Sequence, residues 1–228
     1  MIERPILFSG PMVRAILEGS KTQTRRKVKH DIPPHLTHVR RLTNTNGDEG
    51  AVITEHPDMR AGQLAASVRC PYGKPGDRIW VRETHLIRGA GTVVDYRADM
   101  DPIDAAGHGA FYGGWKPSLF MRREHSRITL EVVNVRVERL NDCSRGDAMA
   151  EGCPFPNMAD GPDPRKWYAD LWQHINGPGS WDANPWVWVV EFRRVSDGKG
   201  REAGPKGPKR RKAGPAAKRR GTPKTTRP

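Results

Sequence analysis

Residues 126–140 constrain the fold more than any other part of the chain. Two runs of alternating apolar residues follow each other there on opposite phases: Ile128, Leu130 and Val132, then Val133, Val135 and Val137. A period of two is the pattern of a strand with one buried face. A single change of phase inside a long strand predicts a β-bulge, which bends the strand as a barrel requires.

Further strand patterns predict a mainly antiparallel sheet. They cover residues 4–8, 78–84, 93–98 and 186–195. Short helices are predicted between them, because each has a recognisable start and stop. The three starts are Ser9-Gly10-Pro11, Ser144-x-x-Asp147 and Asp163-Pro164, and the corresponding stops are Gly19, Gly152 and Gly177. In the last helix, Trp167, Leu171 and Ile175 are expected to form one face, with Tyr168 and Trp172 beside them.

Two segments lack clear periodicity. Residues 27–70 are predicted to be loops or an insertion, with a hairpin at Asn46-Gly47, and residues 99–120 are predicted to be a glycine-rich loop. Strands do not alternate regularly with helices, so a doubly wound parallel sheet is excluded. We expect an α+β fold that is mostly β, a small barrel decorated with short helices, over residues 1–195.

The positive charge of the chain is concentrated at its C-terminal end. Residues 196–228 carry twelve lysines and arginines against two acidic residues, a net charge of +10, so only +3 of the chain's +13 remains for residues 1–195. The same 33 residues include six glycines, five prolines and no apolar residue larger than alanine. We expect a disordered basic tail, which either binds nucleic acid without sequence preference or is merely solvated.

The remaining composition indicates a soluble protein of the reducing cytoplasm. The three cysteines, Cys70, Cys143 and Cys153, include no Cys-x-x-Cys pair, and reduced thiols are the simplest interpretation. No signal sequence or long apolar run is present, which argues against a membrane partner. The eight histidines show no metal-ligand spacing, and no phosphate-binding glycine loop occurs, so no metal or cofactor is expected.

The candidate chemistry lies first in residues 19–26, Gly-Ser-Lys-Thr-Gln-Thr-Arg-Arg. A threonine hydroxyl such as that of Thr24 becomes a nucleophile when a base takes its proton. Lys21 is such a base if burial or neighbouring cations lower its pKa. Residues three apart share a face only outside a regular strand, so the pair requires irregular backbone after Gly19. A solvent-facing polar strand is the alternative.

Two more groups are candidates. Glu151 ends a short helix, where a carboxylate meets the unfavourable end of the helix dipole, so a proton-donor role or a pairing with Lys21 would explain it. Trp80, Arg82 and Glu83 lie in one predicted strand, with Trp80 and Arg82 on the same face. Such a pair can stack on a base and bind phosphate or carbonyl oxygens, or can be a core tryptophan with an arginine at its rim.

These segments together resemble a known family. Residues 19–26 resemble the G-x-K-T-x-T-x-R signature of ASCH domains, which belong to the PUA-like barrel superfamily. Residues 75–81 are similar to the Gly-Asp strand of the family, residues 147–152 to its late helix with an acidic residue, and residues 186–195 to its closing strand. The arrangement is similar to the longer ASCH-type proteins encoded by bacteriophages and prophages. The resemblance implies a barrel with a cleft for RNA or a nucleoside.

One ASCH branch, the bacterial N4-acetylcytidine amidohydrolases, implies roles for individual residues. Lys21 would be the base, Thr24 the nucleophile and Glu151 the proton donor. Thr22, Arg26, Trp80, Arg82 and Glu83 would contact the substrate, with Arg26 a candidate for holding the oxyanion or a carbonyl oxygen. The expected substrate is an N-acylated or otherwise modified pyrimidine nucleoside. A non-catalytic RNA- or DNA-binding module and a nuclease are the alternatives, because folds of this kind host both binding and catalysis.

Overall fold

The computed structural model describes most of the first 195 residues. The described residues are 2–29, 32, 38–43, 49–54, 66–89, 91, 93–155 and 163–195. The basic segment 196–228 lies outside them, and so do the residues that join the two strands around Asn46-Gly47.

The described part contains ten strands and four α-helices, an α+β architecture in which strands predominate. In chain order they are β1 (Glu3–Leu7), α1 (Gly10–Glu18), β2 (Gln23–Lys27), β3 (His38–Thr43), β4 (Glu49–Thr54), β5 (Ala66–Arg69), β6 (Arg78–Arg82), β7 (His85–Arg88), β8 (Val93–Tyr96), α2 (Pro102–Phe111), β9 (Thr129–Arg139), α3 (Arg145–Ala150), α4 (Pro164–Asn176) and β10 (Trp186–Val195). None of these helices is long and apolar enough to cross a membrane.

The central sheet has five strands in the order β1-β6-β9-β10-β2. The β1–β6 pair is parallel and the other three pairs are antiparallel. The sheet keeps β1 and β2 as its two edges, so the expected closed barrel is not formed by the described residues. The chain leaves β1 into α1 and returns as β2 at the opposite edge of the sheet, and no pairing joins β1 to β2 among the described residues.

The predicted bulge in β9 is confirmed. The pairing register with β10 shifts between Glu191 and Phe192, which face Asn134 and Val132, so Val133 is the extra residue. Val133 is 50% exposed, whereas Val132 and Val135 on either side of the bulge are buried. The bulge therefore returns both halves of the strand to the same core.

Strand β10 is buried on both faces. Trp188 and Val190 join the larger core with α1, β6 and β9, while Val187 and Val189 pack under α3 and α4. Only one of these faces is evident from the alternation of large apolar residues in the sequence. The strand at the centre of two cores carries apolar residues at nearly every position, as expected for a doubly covered strand.

The predictions for residues 99–120 and for the buried face of α4 are wrong. The segment predicted to be a glycine-rich loop contains α2, whose N-cap is Asp101; the Asp101 carboxylate accepts hydrogen bonds from the N–H groups of Ile103 and Asp104. A glycine is required at position 109, because an added Cβ would lie 2.5 Å from the Trp115 ring. In α4 the buried residues are Pro164, Tyr168 and Trp172, and the expected face residue Ile175 is 53% exposed. Two adjacent apolar faces exist on α4, and packing against β10 selects one.

Strands β3, β4 and β5 form a three-stranded antiparallel sheet in that order. β3 and β4 pair antiparallel, with His38 facing Thr54 and Thr43 facing Glu49, as expected for a hairpin, while the expected turn at Asn46-Gly47 lies outside the described residues. The segment first interpreted as loops or an insertion therefore includes three strands.

Candidate active site

The Lys21 segment begins where α1 ends. Gly19 adopts a left-handed conformation with φ of +81°, and its N–H bonds to the carbonyl of Ile16. The backbone N–H of Lys21 then donates to the carbonyl of Ala15, and β2 starts at Gln23. The irregular backbone predicted after Gly19 is therefore present, and it turns Lys21 inward.

Lys21 and Glu151 form a buried ion pair across 130 positions of sequence. The Nζ atom of Lys21 lies 2.8 Å from Oε2 of Glu151 and also donates, at 2.8 Å, to the backbone carbonyl of Glu151. The side chains are 0% and 3% exposed. The two backbones also form an isolated antiparallel bridge. This contact explains why a carboxylate is tolerated at the C-terminal end of α3.

The surroundings of Lys21 lower its pKa. Burial is the main cause, because it disfavours the charged ammonium, and the nearby Arg26 and Arg25 act in the same direction. The carboxylate of Glu151 opposes them. A lysine in such a setting is easier to deprotonate than an exposed one, which is the property required of a general base.

Thr24 is buried and shares a cavity lining with Glu151. It is 3% exposed and lines a cavity of about 60 Å³ together with Arg25 and Glu151. Helix α4 forms the outer wall through Tyr168, Leu171, Trp172 and Ile175. Within the described residues the Thr24 side chain makes no hydrogen bond, so the Lys21–Thr24 contact that catalysis needs is not formed in this structure.

Arg25 is buried at the site, although the sequence argument gives it no contact with a substrate. Its side chain is 0% exposed, and its NH2 atom lies 3.1 Å from Glu138 and 3.3 Å from Asp147. Its NH1 atom lies 3.7 Å from Oε1 of Glu151, and neither of these atoms has a hydrogen-bond partner among the described residues. A buried cation and anion thus face each other slightly too far apart to bond, beside the cavity. The only sequence signal is the doubled arginine of the motif.

Acidic residues from three elements hold this side of the site. Arg136 on β9 contacts Glu138, Asp147 and Glu191. Asp147 also forms the predicted capping box of α3 with Ser144. Burial alone would raise the pKa of Asp147, but the hydrogen bonds from Ser144 and the neighbouring arginines lower it to about 2. The network fixes α3, and with it Glu151, against the sheet.

Two of the predicted substrate contacts are engaged elsewhere. Arg26 lines the cavity, but its guanidinium donates to the backbone carbonyl of Leu7 and lies 5.3 Å from the Phe8 ring. Thr22 has an exposed side chain, and its backbone N–H and carbonyl bond to Ala150 and Phe192. Thr22 therefore acts through its backbone, as part of the scaffold.

The Trp80 group lies apart from the cavity. Trp80 is buried, and the Arg82 guanidinium stacks 4.8 Å from its ring, which confirms that the two share a face. Glu83 is 1% exposed and accepts two hydrogen bonds from Arg127. Burial raises the pKa of Glu83 although Arg127 opposes this. Glu83 lines a different cleft of about 630 Å³ at the start of α1, with Ser9 and Arg14.

The three cysteines are reduced and buried, as predicted. Burial raises the pKa of Cys143 to about 12, so its thiol is inert at neutral pH. No group of three or more His, Cys, Asp or Glu side chains in the described ranges is arranged to hold a metal ion.

Comparisons with known proteins give little further information. No family model matches the chain, and no curated protein matches it. A solved structure, protein EF3133 from Enterococcus faecalis V583 with the family model DUF984, aligns with 86% of this chain and 82% of its own. Its sequence identity is 10% and its TM-score 0.37, a level that does not establish a shared fold.

Proposed function

We propose that this protein is an ASCH-type amidohydrolase that removes a small acyl group from the exocyclic amine of a modified pyrimidine nucleoside, such as N4-acetylcytidine. The observation that supports the proposal most strongly is the buried contact of Lys21 with Glu151 at 2.8 Å, because Glu151 lines the same cavity as the buried Thr24. A base, a hydroxyl nucleophile and a carboxyl group are the components of acyl transfer.

The proposed reaction proceeds through an acyl-enzyme. In its neutral form, Lys21 takes the proton of the Thr24 hydroxyl as Oγ1 attacks the acyl carbonyl. The proton passes from the Lys21 ammonium to Glu151, which it contacts, and then to the nitrogen of the departing amine. The C–N bond breaks, and Thr24 is left as an ester. Water then hydrolyses this ester, releases the acid and restores the hydroxyl.

Arg25 is assigned to the acyl oxygen in place of Arg26. Its NH1 atom is buried, lacks a hydrogen-bond partner and belongs to a residue that lines the cavity. Arg26 also has a buried Nε without a partner, but its guanidinium is held by the Leu7 carbonyl and lies over the Phe8 ring. A preorganised donor of this kind stabilises the negative charge that develops on the oxygen. The unpaired Oε1 of Glu151 would accept the amide N–H of the same substrate.

The size of the cavity limits what can enter it. A volume of about 60 Å³ accommodates a small acyl amide, but sites that enclose a whole nucleoside-sized ligand span about 300–1,000 Å³. The acyl amide therefore enters the cavity, while the base and sugar remain outside it, against the α4 wall. Acetyl substrates should be preferred to longer acyl chains.

The cellular setting is part of the same proposal. We assign the protein to the cytoplasm, where the three buried thiols stay reduced. The twelve basic residues of segment 196–228 are assigned a non-specific attraction to nucleic acid.

The test is hydrolysis of N4-acetylcytidine to cytidine by the purified full chain. Thr24→Val, Lys21→Met and Glu151→Gln should each abolish turnover. Thr22→Val is the matched control, because its side chain is exposed two residues away. No turnover by the wild-type protein, or unchanged turnover by Thr24→Val, would refute the proposal.

A further inference from the structure

A second concave site lies around the start of β7, lined by residues that do not overlap with the Thr24 cavity. It is a groove of about 460 Å³, within the range of ligand-binding pockets. Its polar and aromatic lining consists of His85, Lys116, Phe120, Arg122, Glu124 and His125. None of these residues has a role in the proposed hydrolysis.

His85 supplies an unexplained hydrogen-bond acceptor in this groove. Its ring is 1% exposed, and its Nδ1 atom lies 3.3 Å from the backbone carbonyl of Glu83. Because a carbonyl can only accept, Nδ1 carries the proton and Nε2 has the free lone pair. Nε2 is buried and has no partner among the described residues.

The surroundings keep His85 neutral and in place. Burial lowers its pKa, and the nearby His125 and Lys116 act in the same direction; the hydrogen bond that His85 donates to the Glu83 carbonyl opposes them. Its backbone exchanges two hydrogen bonds with Lys116, at 2.7 and 3.2 Å. A buried acceptor that lacks a donor is costly, so a ligand that brings an O–H or N–H group would be bound favourably.

The rim of the groove is cationic. Lys116 is exposed and makes no ion pair within the described residues, and Arg122 is 80% exposed. Glu124 is the one acidic residue in the lining; it lies 3.7 Å from Arg122 and 3.5 Å from His125. Lys116 and Arg122 outweigh Glu124, so the lining carries a net positive charge, which favours an anionic group.

Phe120 adds an aromatic surface to the same groove. Its side chain is 67% exposed, but its backbone is fixed: the N–H of Phe120 donates to the carbonyl of Pro117, and the N–H of Met121 donates to the carbonyl of Ser118. An exposed aromatic ring beside cationic side chains is the combination that single-stranded nucleic acids use, since bases stack on the ring and phosphates pair with the cations.

We propose that this groove binds one nucleotide unit of single-stranded RNA. The base stacks on Phe120, the phosphate pairs with Lys116 and Arg122, and the 2′-hydroxyl donates its hydrogen bond to Nε2 of His85. The 2′-hydroxyl is the group by which a protein distinguishes RNA from DNA. The assignment does not depend on the hydrolase proposal, because the two sites share no residue.

The test is a fluorescence-anisotropy titration of the full chain with a short labelled oligouridylate RNA and with the DNA of the same sequence. Phe120→Ala should weaken RNA binding by about 5- to 150-fold, the range found for one stacked base. Leu119→Ala is the matched control, because Leu119 is 58% exposed next to Phe120 and is not part of the groove lining. The basic segment 196–228 is present in both variants, so its contribution cancels.

Two further variants test the remaining contacts. Lys116→Met should reduce the slope of log K against log salt by about 0.7, as expected for one lost contact with a single strand. His85→Asn keeps a donor for the Glu83 carbonyl but removes the Nε2 acceptor, so the preference for RNA should disappear while thermal stability is checked separately. Equal effects of Phe120→Ala and Leu119→Ala, or equal affinity of the wild type for RNA and DNA, would overturn the assignment.

Discussion

Replacing Glu151 by Gln should destabilise the protein strongly, and by an amount that depends on pH. The substitution keeps the shape of the side chain but removes the charge that faces the Lys21 ammonium at 2.8 Å. Lys21 would remain fully buried with a backbone carbonyl as its principal partner. Removing one partner of a buried ion pair usually costs about 3–5 kcal/mol.

The structure sets an upper limit on this cost. If the ammonium becomes too costly to keep, Lys21 can lose its proton, and from its ordinary pKa of 10.5 this costs about 4.8 kcal/mol at pH 7. Because wild-type Lys21 already has a lowered pKa, part of that cost is present before the substitution. We therefore expect a loss of about 3–4 kcal/mol, or roughly 6–16 °C in the melting temperature.

The pH dependence has a definite sign. With Lys21 neutral in the folded variant, the unfolded state binds one more proton, so the stability of the variant rises with pH. The difference in the free energy of unfolding between the variant and the wild type should shrink by up to about 1.4 kcal/mol per pH unit. This continues until wild-type Lys21 itself begins to lose its proton, at a pH below 10.5.

The assay is urea unfolding followed by tryptophan fluorescence at several pH values between about 7 and 9. Glu131→Gln is the matched control, since Glu131 pairs at 2.8 Å with Arg193, whose side chain is 69% exposed. The control should lose less than about 1 kcal/mol, with no change over this pH range. A buried ion pair is refuted if Glu151→Gln loses no more free energy of unfolding than the control, or if its loss does not become smaller as the pH rises.

Three other predictions concern the frame of the site. Gly152→Ala should lower the free energy of unfolding in chemical denaturation more than Gly113→Ala does. Both glycines have φ near +90°, but only at position 152 would the new Cβ meet other atoms, 3.0 Å from Ala15 and 3.2 Å from Lys21. Equal losses of stability would contradict that contact. The pKa of Asp147 is lowered to about 2 from 3.8, which contributes at most about 2.4 kcal/mol to the free energy of unfolding above pH 4. The difference in stability between the wild type and Asp147→Asn should therefore shrink as the pH falls to 2. A difference that stays constant over this range would contradict the assignment. Val133→Ala at the bulge should change the free energy of unfolding by no more than about 0.5 kcal/mol, because Val133 is exposed, whereas Val135→Ala should lower it by about 2 kcal/mol in thermal unfolding. The reverse order would show that Val133 is not the extra residue of the bulge.

Features that depend on neighbouring residues could be predicted from the sequence. The β9 bulge is visible as a phase change because alternation is a local property. The same holds for the start of α3, where the side chains of Ser144 and Asp147 satisfy backbone groups within one turn. The start of α4 at Asp163-Pro164 is a third case.

Features that depend on distant packing were missed or wrong. Helix α2 contains two glycines, which lower its helical propensity, and packing of Trp115 against Gly109 accounts for one of them. Alternation along the strand places Glu83 on the side opposite Trp80 and Arg82, but the cleft that Glu83 lines there includes residues at the start of α1, which only packing brings close.

The features of the candidate site likewise divide into those that the sequence shows and those that require the fold. The sequence by itself determined which groups were available: a lysine, threonines and two arginines after a helix stop, and a carboxylate at the end of another helix. Only the tertiary structure decided that Lys21 meets Glu151, that the Arg25 guanidinium is buried near the same carboxylate, and that α4 closes the cavity to about 60 Å³. The physical reason is the distance along the chain over which each interaction acts. Capping and alternation act over a few residues, whereas burial, ion pairing and cavity shape arise from elements brought together across more than a hundred positions of chain.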